Sequence, residues 1–539
     1  MIFQGNLLKT NYLNFFTHFI IINQIPSFFV NFEIFPTYKT LKMKPKVYGI
    51  FISIFLISTA AYLPVQSEDD ELIEVFHRIN DEVLANSRAY ETLGDACKTI
   101  GHRLTGSANG KRAEEYAFNL LKSYGIKDVK YQPFQVEAWS RDTVTLAIAP
   151  RKSDNFQDLE VVALAMTPVE SKIKGDIVDV GNGLEPNFQA VKEQLKGKIA
   201  MVNIGLLPPI KGTRNLHRSE KTALAIEYGA IGVIFVNTVK GNVLLTGTAS
   251  VTGGLISIPA VCVSLESGMQ IRAWISDEPN LLAMIDMKNF SKVIKSRNVI
   301  ATIKGSDKKL RNEKIIIGGH LDSWDLAQGA LDNGLGSFSI LDIARTFKAL
   351  NLKPKRTIEF VMFMGEEEGL LGSKAMIEKC KKNNSIEKVV FMINLDMANN
   401  ANGFNTSGRG EMIPMFTKMG EFMKKIEPTY KNNIINQAGL HSDHQSFMLE
   451  GIPTASPIGG IAPEALGCYH ANCDKFDLVK KDEMINTVRY TAMMLYGLAN
   501  TETIPAKKLD YYSTRDFFIK QNLRKELELG RAWVWGDGK

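Results

Sequence analysis

The sequence has little net charge, no basic stripe and few cysteines, and each shortage limits the kinds of protein that it can be. Its 64 Lys and Arg residues nearly balance 58 Asp and Glu residues, for a net charge of +6. It has no basic stripe interleaved with aromatic residues, so nothing in its charge pattern favours a nucleic-acid partner. Its five cysteines cannot all pair within one chain, so at least one thiol is free if every bridge is internal. The 539 residues are enough for a large core and roughly two to four domains.

Residues 43–67 have the three-part pattern of a secretory signal peptide. A positively charged start precedes an apolar run, residues 47–61, which ends in small side chains. The run has about 15 residues, whereas a membrane-spanning helix needs about 20. We therefore expect cleavage and an exported protein, secreted or periplasmic; the alternative is an uncleaved membrane anchor. Translation is expected to start at Met43, which makes residues 1–42 an upstream extension of the gene model.

A short strand followed by a polar loop lies at residues 314–336. Residues 314–317, Lys-Ile-Ile-Ile, are typical of a buried strand, and the two glycines after them end it. His320 therefore lies at the carboxyl end of a strand, where ligands bind in open α/β sheets. Asp322 follows in the loop, and Asp332 precedes a helical pattern. This loop predicts the first half of a two-metal site.

Three later segments of the chain supply further carboxylates and a second histidine. The apolar strand 357–364 runs into three adjacent acids, residues 366–368. A third strand, 389–395, ends in Asp396, and His470 lies in the later loop CYHANCD. Adjacent carboxylates repel one another, and a divalent cation together with a proton to be carried would explain their crowding. We predict that these groups meet at one rim of the sheet.

The motifs GHLDSWD, GALDNG, GEEEGLLGS, NLDM, SDHQSF and YHANCD resemble those of the di-zinc aminopeptidase-type metallopeptidase family. Within it, GHLDSWDLAQGA and GHRLTGS favour the carboxypeptidase Q subfamily, and the similarity spans residues 69–502. The resemblance implies an α/β fold: a phosphorylase/hydrolase-like mixed sheet flanked by helices, with an inserted protease-associated β-rich domain. It also implies two Zn²⁺ ions per subunit, a short peptide or dipeptide substrate and a homodimer.

The resemblance also implies a role for each motif residue. Glu366 would be the general base that takes a proton from the bridging water and returns it to the leaving amine, and Asp322 would be the carboxylate behind His320. Asp332 would bridge the two ions. The implied metal ligands are His320, Asp332, Glu367, Asp396 and His470.

Two departures from the family pattern leave alternatives open. A third acid, Glu368, permits a register with Glu367 as the base and Glu368 as the ligand, although the following Gly-Leu-Leu-Gly-Ser favours Glu366 as the base. Asn333 follows the bridging residue where the subfamily tends to have an Asp, which is expected to alter the loop without removing a ligand.

Composition divides the chain into six segments. They are residues 1–42 as the extension, 43–67 as the signal peptide, 68–150 as the first peptidase part (helix, helix, strand), 151–292 as the insert, 293–503 as the second peptidase part, and 504–539 as a charged tail. The second peptidase part is expected to close with a helix over 477–498, and the tail to be a solvated helix with a frayed end.

Five other residues suit more than one role. His102 and Arg103, in GHRLTGS, are interpreted as part of a loop that packs against the metal site or the substrate rather than as catalytic groups. His217, in the insert, is expected at the surface. Cys468 and Cys473 bracket His470 closely enough for a small-loop disulfide, but free thiols are an equal alternative; thiolate ligation of zinc is less favoured.

The sequence therefore predicts an exported di-zinc exopeptidase that hydrolyses dipeptides or removes the amino-terminal residue of short peptides. A broad-specificity aminopeptidase is the nearest alternative. A glutaminyl cyclase-like acyltransferase would depart from the pair of metals that share one Asp. A catalytically dead receptor-like domain would lack metal ligands, whereas all five residues are present here.

Overall fold

A computed structural model describes residues 67–153, 155–278 and 280–536. The predicted upstream extension and the predicted signal peptide up to residue 66 lie outside the described residues. Within the described part of the chain, no helix is both long and apolar enough to cross a membrane.

The strands form one 14-stranded sheet. In chain order they are β1 (Asp128–Pro150), β2 (Gln157–Leu159), β3 (Val162–Ala163), β4 (Glu170–Asp179), β5 (Ile199–Asn203), β6 (Gly232–Val236), β7 (Ala260–Val263), β8 (Leu281–Ile303), β9 (Lys314–His320), β10 (Thr357–Phe363), β11 (Val389–Asn394), β12 (Gly403–Asn405), β13 (Asn433–Ile435) and β14 (Thr454–Ile458).

Helices flank this sheet. In chain order they are α1 (Glu68–Asn86), α2 (Ala89–Thr99), α3 (Ala108–Ser123), α4 (Glu185–Leu195), α5 (Arg218–Glu227), α6 (Leu265–Asp277), α7 (Leu335–Ala349), α8 (Leu371–Lys382), α9 (Ile413–Ile426), α10 (His444–Met448), α11 (Pro463–Leu466), α12 (Lys481–Asn500), α13 (Tyr511–Lys520) and α14 (Arg524–Leu529).

The sheet is mixed, as predicted. Its order is β13-β12-β14-β11-β9-β10-β8-β4-β5-β6-β7-β3, with β1 paired to β8 and to β2. Strands β14, β11, β9 and β10 run parallel to their neighbours within this group, so their carboxyl ends share one edge. That edge carries the polar loops identified in the sequence.

Two long antiparallel strands connect the insert to the rest of the protein. Strands β1 and β8 pair along nearly their whole length. Residues 282–288 of β8 also pair with β4 of the insert, whereas residues 299–303 pair with β10. The predicted boundary between residues 292 and 293 thus falls within one continuous strand, and the domain boundaries stay a prediction.

Apolar strands form the centre of the fold. All seven residues of β10 are buried, because helices cover both faces of this parallel region. Phe338 and Phe347 of α7 pack with Met493 of α12 in a core cluster on one face. On the other face, Phe363 packs with Met376 of α8. The rigid core fixes the strand ends, and hence the positions of the side chains beyond them.

Two predicted elements differ in detail. Three helices precede β1 instead of two, because the chain leaves the helical conformation at Ser87 (ψ 137°), whose hydroxyl donates a 2.7 Å hydrogen bond to Asp342 Oδ2. The closing helix α12 begins at Lys481, after a short 3₁₀ turn at Phe476–Leu478.

The charged tail contains helices α13 and α14 and most of its charged residues are exposed, but the predicted frayed end was wrong, because several of its apolar side chains are buried. Phe518 is fully buried, and Leu527 and Trp535 are nearly so. They pack in one cluster with Ala438 and Met448. The tail sequence alternates charged and aromatic residues, so its composition looks polar although its apolar side chains face the protein.

Candidate metal centre

The predicted site residues converge from five segments of the chain. His320 ends β9, Asp332 lies in the turn Ala330–Gly334 before α7, and Asp396 lies just beyond β11. The acids at 366–368 follow β10, and His470 lies in the loop before α12. The predicted meeting at one sheet edge is thus found in the structure.

Asp332 lies between the two imidazoles. Its Oδ1 is 3.2 Å from His320 Nε2, and its Oδ2 is 3.0 Å from His470 Nε2. Asp396 Oδ1 lies 3.3 Å from His320 Nε2, and Glu367 Oε2 lies 3.0 Å from His470 Nε2. The site therefore has two halves, each with one His and one carboxylate, joined by a carboxylate that offers one oxygen to each half.

These residues fit a pair of divalent cations. Donor atoms of His320, Asp332 and Glu367 lie within 4.8 Å of one another, and imidazole nitrogens with carboxylate oxygens are a donor set that zinc accepts. Glu367 Oε1 is buried without a hydrogen-bond partner among the described residues. Because an unpartnered buried carboxylate oxygen is costly, this atom has a physical reason to face a cation.

The electrostatics of the buried cluster agree with this fit. Burial alone would lower the pKa of His320, but the carboxylates of Glu366 and Asp396 raise it well above its ordinary value. Burial alone would raise the pKa of Asp332, but hydrogen bonds from His320 and His470 hold it below its usual range. The cluster thus needs positive charge beside its carboxylates, and cations could supply it in place of protons.

Glu366 differs from the other acids in position. Its Oε2 is 4.0 Å from His320 Nε2, and it lines the open cavity above the site. Burial raises its pKa well above the ordinary value; His320 opposes this rise, and Asp396 and Glu367 reinforce it. A carboxylate that faces the cavity with a raised pKa is suited to accepting and returning a proton.

The structure distinguishes the two possible registers of the acidic triplet geometrically. Of Glu367 and Glu368, only Glu367 lies within ion-pair distance of His470 among the described contacts. Both carboxylate oxygens of Glu368 are buried without a hydrogen-bond partner. Burial raises the pKa of Glu368 well above its ordinary value, and the charges of Asp322 and Glu367 add to the rise. The geometry thus favours Glu367 as the ligand, and the roles stay a prediction.

Asp322 lies behind the site, as expected, but it contacts His320 differently. Its backbone carbonyl lies 3.1 Å from His320 Nδ1, whereas its carboxylate Oδ1 is 3.8 Å away. The carboxylate instead accepts hydrogen bonds from the backbone N–H groups of Glu366 (3.4 Å) and Glu367 (3.3 Å). Asp322 therefore positions the acidic loop as well as the imidazole.

Two residues that support the site were not identified from the sequence. Asp474 accepts hydrogen bonds from the backbone N–H groups of Leu331 (2.7 Å) and Asp332 (3.1 Å), and burial raises its pKa to about 7. Ser442 donates to Asp396 Oδ2 at 2.6 Å. Asp474 belongs to the motif YHANCD and Ser442 to the motif SDHQSF. Their place in these motifs was the signal by which the sequence could have pointed to them.

Asn333, which the sequence marked as a departure from the family pattern, also supports the site through four hydrogen bonds of its side-chain amide. Nδ2 donates to the Leu395 carbonyl at 2.8 Å and to the His320 carbonyl at 3.2 Å, while Oδ1 accepts from the N–H groups of Gly336 and Met397, both at 3.0 Å. An ionised Asp has no donor for the two carbonyls. The departure at this position therefore alters the loop by fastening it to two strand ends.

Arg103 fixes the loop between His320 and Asp332 through hydrogen bonds to its backbone. Its side chain is fully buried and donates to three carbonyls, those of Leu321 (2.5 Å), Gln328 (2.8 Å) and Gly329 (2.7 Å). The segment GHRLTGS thus packs against the loop that carries the site, and Arg103 does not line the cavity above it.

Replacing Arg103 with Met is expected to lower the free energy of unfolding by at least about 3 kcal/mol, because three hydrogen bonds from a charged donor are lost inside the protein. Urea-induced unfolding would measure the change. Arg112→Met, at an exposed position on the neighbouring α3, is the control and should cost less than about 0.5 kcal/mol. Equal losses in the two variants would contradict this account.

Covalent closure fixes the loop around His470. Cys468 and Cys473 form a disulfide, so the bridged alternative applies, and the other cysteines (Cys97, Cys262 and Cys380) are buried free thiols. His470 lies inside this small ring. The bridge limits how far the imidazole can move from Asp332.

A cleft opens above the site. Its volume is about 420 Å³, and its wall includes Glu366, Thr248 and Ser250 of the insert, and Leu527 of the tail. His217, expected at the surface, is half-buried in this wall, where its ring stacks on His441 with centroids 5.1 Å apart. Burial, together with the charge of Arg218, lowers its pKa well below the ordinary value.

Comparisons with known proteins agree with this architecture. Residues 298–495 match the model of Peptidase family M28, and residues 170–271 match that of the PA domain. Carboxypeptidase Q of Bos taurus is 26% identical over 423 residues, which cover 78% of this chain and 86% of the relative.

Two solved structures share the fold. An aminopeptidase from Aneurinibacillus sp. strain AM-1 is 27% identical with a TM-score of 0.61, covering 81% of this chain and 99% of its own. A Peptidase M28 precursor from Shewanella amazonensis SB2B has a TM-score of 0.68 at 24% identity, covering 82% and 100%. The inserted PA domain and the mixed sheet of the described chain match this fold.

Proposed function

We propose that this chain, whose residues 298–495 match Peptidase family M28, is an exported zinc exopeptidase that hydrolyses dipeptides. Water would add to the scissile carbonyl carbon, the C–N bond would break, and the amine would leave with a proton. The proposal assigns each part of this reaction to residues of the described site.

Two zinc ions would be held by residues that the structure brings together. Asp332 would be shared, with His320 and Asp396 on one side and Glu367 and His470 on the other. Zinc in such a site supplies a Lewis acid that polarises the carbonyl and lowers the pKa of water from 15.7 to about 7. A protein of the same fold from Bacillus subtilis, with a TM-score of 0.58 at 22% identity, is a zinc aminopeptidase.

Glu366 would transfer a proton from the attacking water to the leaving amine. It faces the cleft, and its backbone N–H donates to Asp322 Oδ1, which holds the acidic loop in place. Burial raises the pKa of Glu366 above the ordinary value, which strengthens it as a general base that accepts a proton from water and returns it to the leaving nitrogen. The same residue would thus serve both proton transfers.

Arg218 is the observation that carries the choice of a dipeptide. It begins α5 of the insert, is only 5% exposed and lines the cleft. Its Nη2 contacts His470 Nδ1, while its Nε is buried without a hydrogen-bond partner among the described residues. Among the described ion pairs none joins Arg218 to a carboxylate. A buried guanidinium without a counter-ion is costly, so a substrate carboxylate is a suitable partner.

The surroundings of Arg218 restrict where it can move. The guanidinium lies against the backbone of Gly247 (φ +135°), where an added Cβ would come within 1.9 Å of Nε. Its Cζ lies 6.0 Å from the centroid of the Tyr469 ring. A guanidinium held in this way could bind the free carboxylate of a dipeptide through a charged hydrogen bond.

Three matched substrates test the proposed function in the purified protein, with zinc restored after chelation. They are a free dipeptide, its carboxy-terminal amide and its N-acetyl form. We expect kcat/KM for the free dipeptide to exceed that for the amide by roughly 10- to 100-fold, the worth of one charged hydrogen bond, and the acetylated form to resist cleavage. Equal cleavage of the amide would indicate a general aminopeptidase instead.

Arg218→Met should remove this preference. The ratio of kcat/KM for the free dipeptide to that for the amide is expected to fall to within about threefold of unity, because only the carboxylate contact distinguishes the two substrates. A general disturbance of His470 would lower both rate constants and leave the ratio unchanged. An unchanged ratio would therefore contradict the assignment of Arg218.

Export is supported by chemistry in the described chain. The disulfide between Cys468 and Cys473 is of a kind that persists in oxidising compartments, which agrees with the signal peptide expected at residues 43–67. Mass spectrometry of the mature amino terminus tests this, and a start before residue 43 would contradict it. The homodimer stays a prediction.

A further inference from the structure

We propose that the C-terminal strap, defined as residues 509–536, sets the length of peptide that the cleft accepts, and that Glu526 fixes the strap in its closed position. This inference rests on the proposed function, since it concerns the substrate of the same site. It assigns a role in specificity to a segment that has no part in the metal centre.

The strap is anchored on the peptidase part of the protein by apolar contacts. Phe518 and Leu523 pack with Ala438, which precedes α10, and with Met448, the last residue of α10. Trp535 packs in the same cluster, and its Nε1 donates to the Tyr511 carbonyl at 2.8 Å. Both ends of the strap are therefore fixed relative to one side of the cleft.

The strap reaches the insert on the other side. Leu529 packs against the apolar core of the insert, and Lys525 pairs with Glu185 of α4. This ion pair is largely exposed and contributes little by itself. The strap thus spans from the peptidase part to the insert across the cleft.

Glu526 makes the central connection. Its Oε1 lies 2.6 Å from Arg214 Nη2 of the insert and 2.8 Å from His441 Nε2. The side chain is only 7% exposed, and a carboxylate buried to this degree is retained where it has partners. His441 precedes Ser442, the residue that donates to Asp396 Oδ2. The contact therefore joins the strap, the insert and the loop that supports the metal centre.

The strap occupies space that a longer substrate would need. Glu526, Leu527, Gly530 and Ala532 line the same cleft as His320. The volume of about 420 Å³ is near the lower end of the range for small-molecule pockets, about 300 to 1,000 Å³. Each added residue of an extended peptide needs about 3.3 to 3.6 Å of further length. With the strap closed, we infer that peptides beyond two or three residues are excluded.

A length series tests this inference. The ratio of kcat/KM for a free dipeptide to that for peptides of three, four and five residues with the same amino terminus is measured for the wild-type protein and for Glu526→Gln. We expect kcat/KM to fall steeply with peptide length in the wild type. In the variant, the ratio of kcat/KM for the dipeptide to that for the five-residue peptide should be at least tenfold smaller than in the wild type. The Gln side chain keeps the shape but not the charge that binds Arg214 and His441.

Two further variants keep the test decisive. Glu528→Gln changes the same residue type on α14, where Glu528 is exposed and pairs with Arg524, and it should keep the wild-type profile. Arg214→Gln removes the same contact from the insert side and should reproduce the profile of Glu526→Gln. The inference is supported if Glu526→Gln and Arg214→Gln both lose the steep fall with length while Glu528→Gln keeps it.

The possible failures are distinguishable. If the wild type falls steeply with length and both Glu526→Gln and Arg214→Gln keep that fall, the strap does not set substrate length and the inference is overturned alone. If the wild type hydrolyses dipeptides no faster than longer peptides, the proposed dipeptidase function fails first, and with it the selectivity that the strap was inferred to provide.

Discussion

Glu366→Gln is expected to lower kcat by about 10²- to 10⁴-fold, the range for loss of a positioned general base, while the zinc content of the protein stays at its wild-type value. The amide keeps the size of the side chain but cannot accept the proton of the attacking water. Glu366 lies 4.0 Å from His320 Nε2 and outside the contacts of His470, so the metal ligands should remain in place. Steady-state kinetics and elemental analysis of the same sample measure the two quantities.

Glu367→Gln and Glu368→Gln are the matched controls, because the three acids are adjacent and the substitution is identical. Glu367→Gln should lose zinc, since Glu367 Oε2 contacts His470, and Glu368→Gln should keep it. The alternative register predicts another pattern, in which Glu367→Gln keeps its zinc without turnover and Glu368→Gln loses zinc. Loss of zinc from Glu366→Gln would also contradict the assignment of Glu366 as the base.

The strand ends could be predicted from the sequence because each carries two signals at once. The β-branched runs before His320 and Asp396 indicate strands buried on both faces, and the polar residue directly after each run marks the exposed edge. The parallel order of β9, β10 and β11 then brings these residues together. Local pattern and sheet geometry were therefore enough to locate the centre of the site.

The support around the centre could not be derived in the same way. Asp474 holds the backbone of Asp332 from 142 residues away in sequence, and Arg103 holds the carbonyl of Leu321 from 218 residues away. Such contacts depend on the tertiary fold, and a single polar residue in a loop carries no periodicity that would reveal its partner. The resemblance to a family indicated their neighbourhood but not their contacts.

The frayed end predicted for the tail was wrong for a related reason. The many charges of the tail indicate a solvated segment, but Phe518, Leu527 and Trp535 bury themselves against residues near 438 and 448. No pattern within the tail identifies that surface. Glu526 shows the consequence most clearly, because a residue typical of an exposed helix lies buried beside Arg214 and His441 at the edge of the cleft.

Asp332→Asn should lower kcat/KM by at least about 10³-fold and reduce the zinc content below that of the wild type. Asp332 is the residue whose two oxygens face both halves of the site, 3.2 Å from His320 Nε2 and 3.0 Å from His470 Nε2. An amide offers a single neutral oxygen, so it cannot join two cations as a carboxylate does. Equilibrium dialysis against buffered zinc, followed by elemental analysis, would measure the number of ions per chain.

Asp325→Asn is the control for this last prediction, because Asp325 lies in the same loop but pairs with Arg141 at 2.6 Å instead of facing the imidazoles. Its zinc content should equal that of the wild type even if the loop is somewhat less stable. If Asp332→Asn also kept its full zinc content, each half of the site would hold its ion independently, through His320 with Asp396 and through His470 with Glu367. Asp332 would then orient the two imidazoles without bridging the ions, and the two-sided contacts of its carboxylate would reflect hydrogen bonding alone.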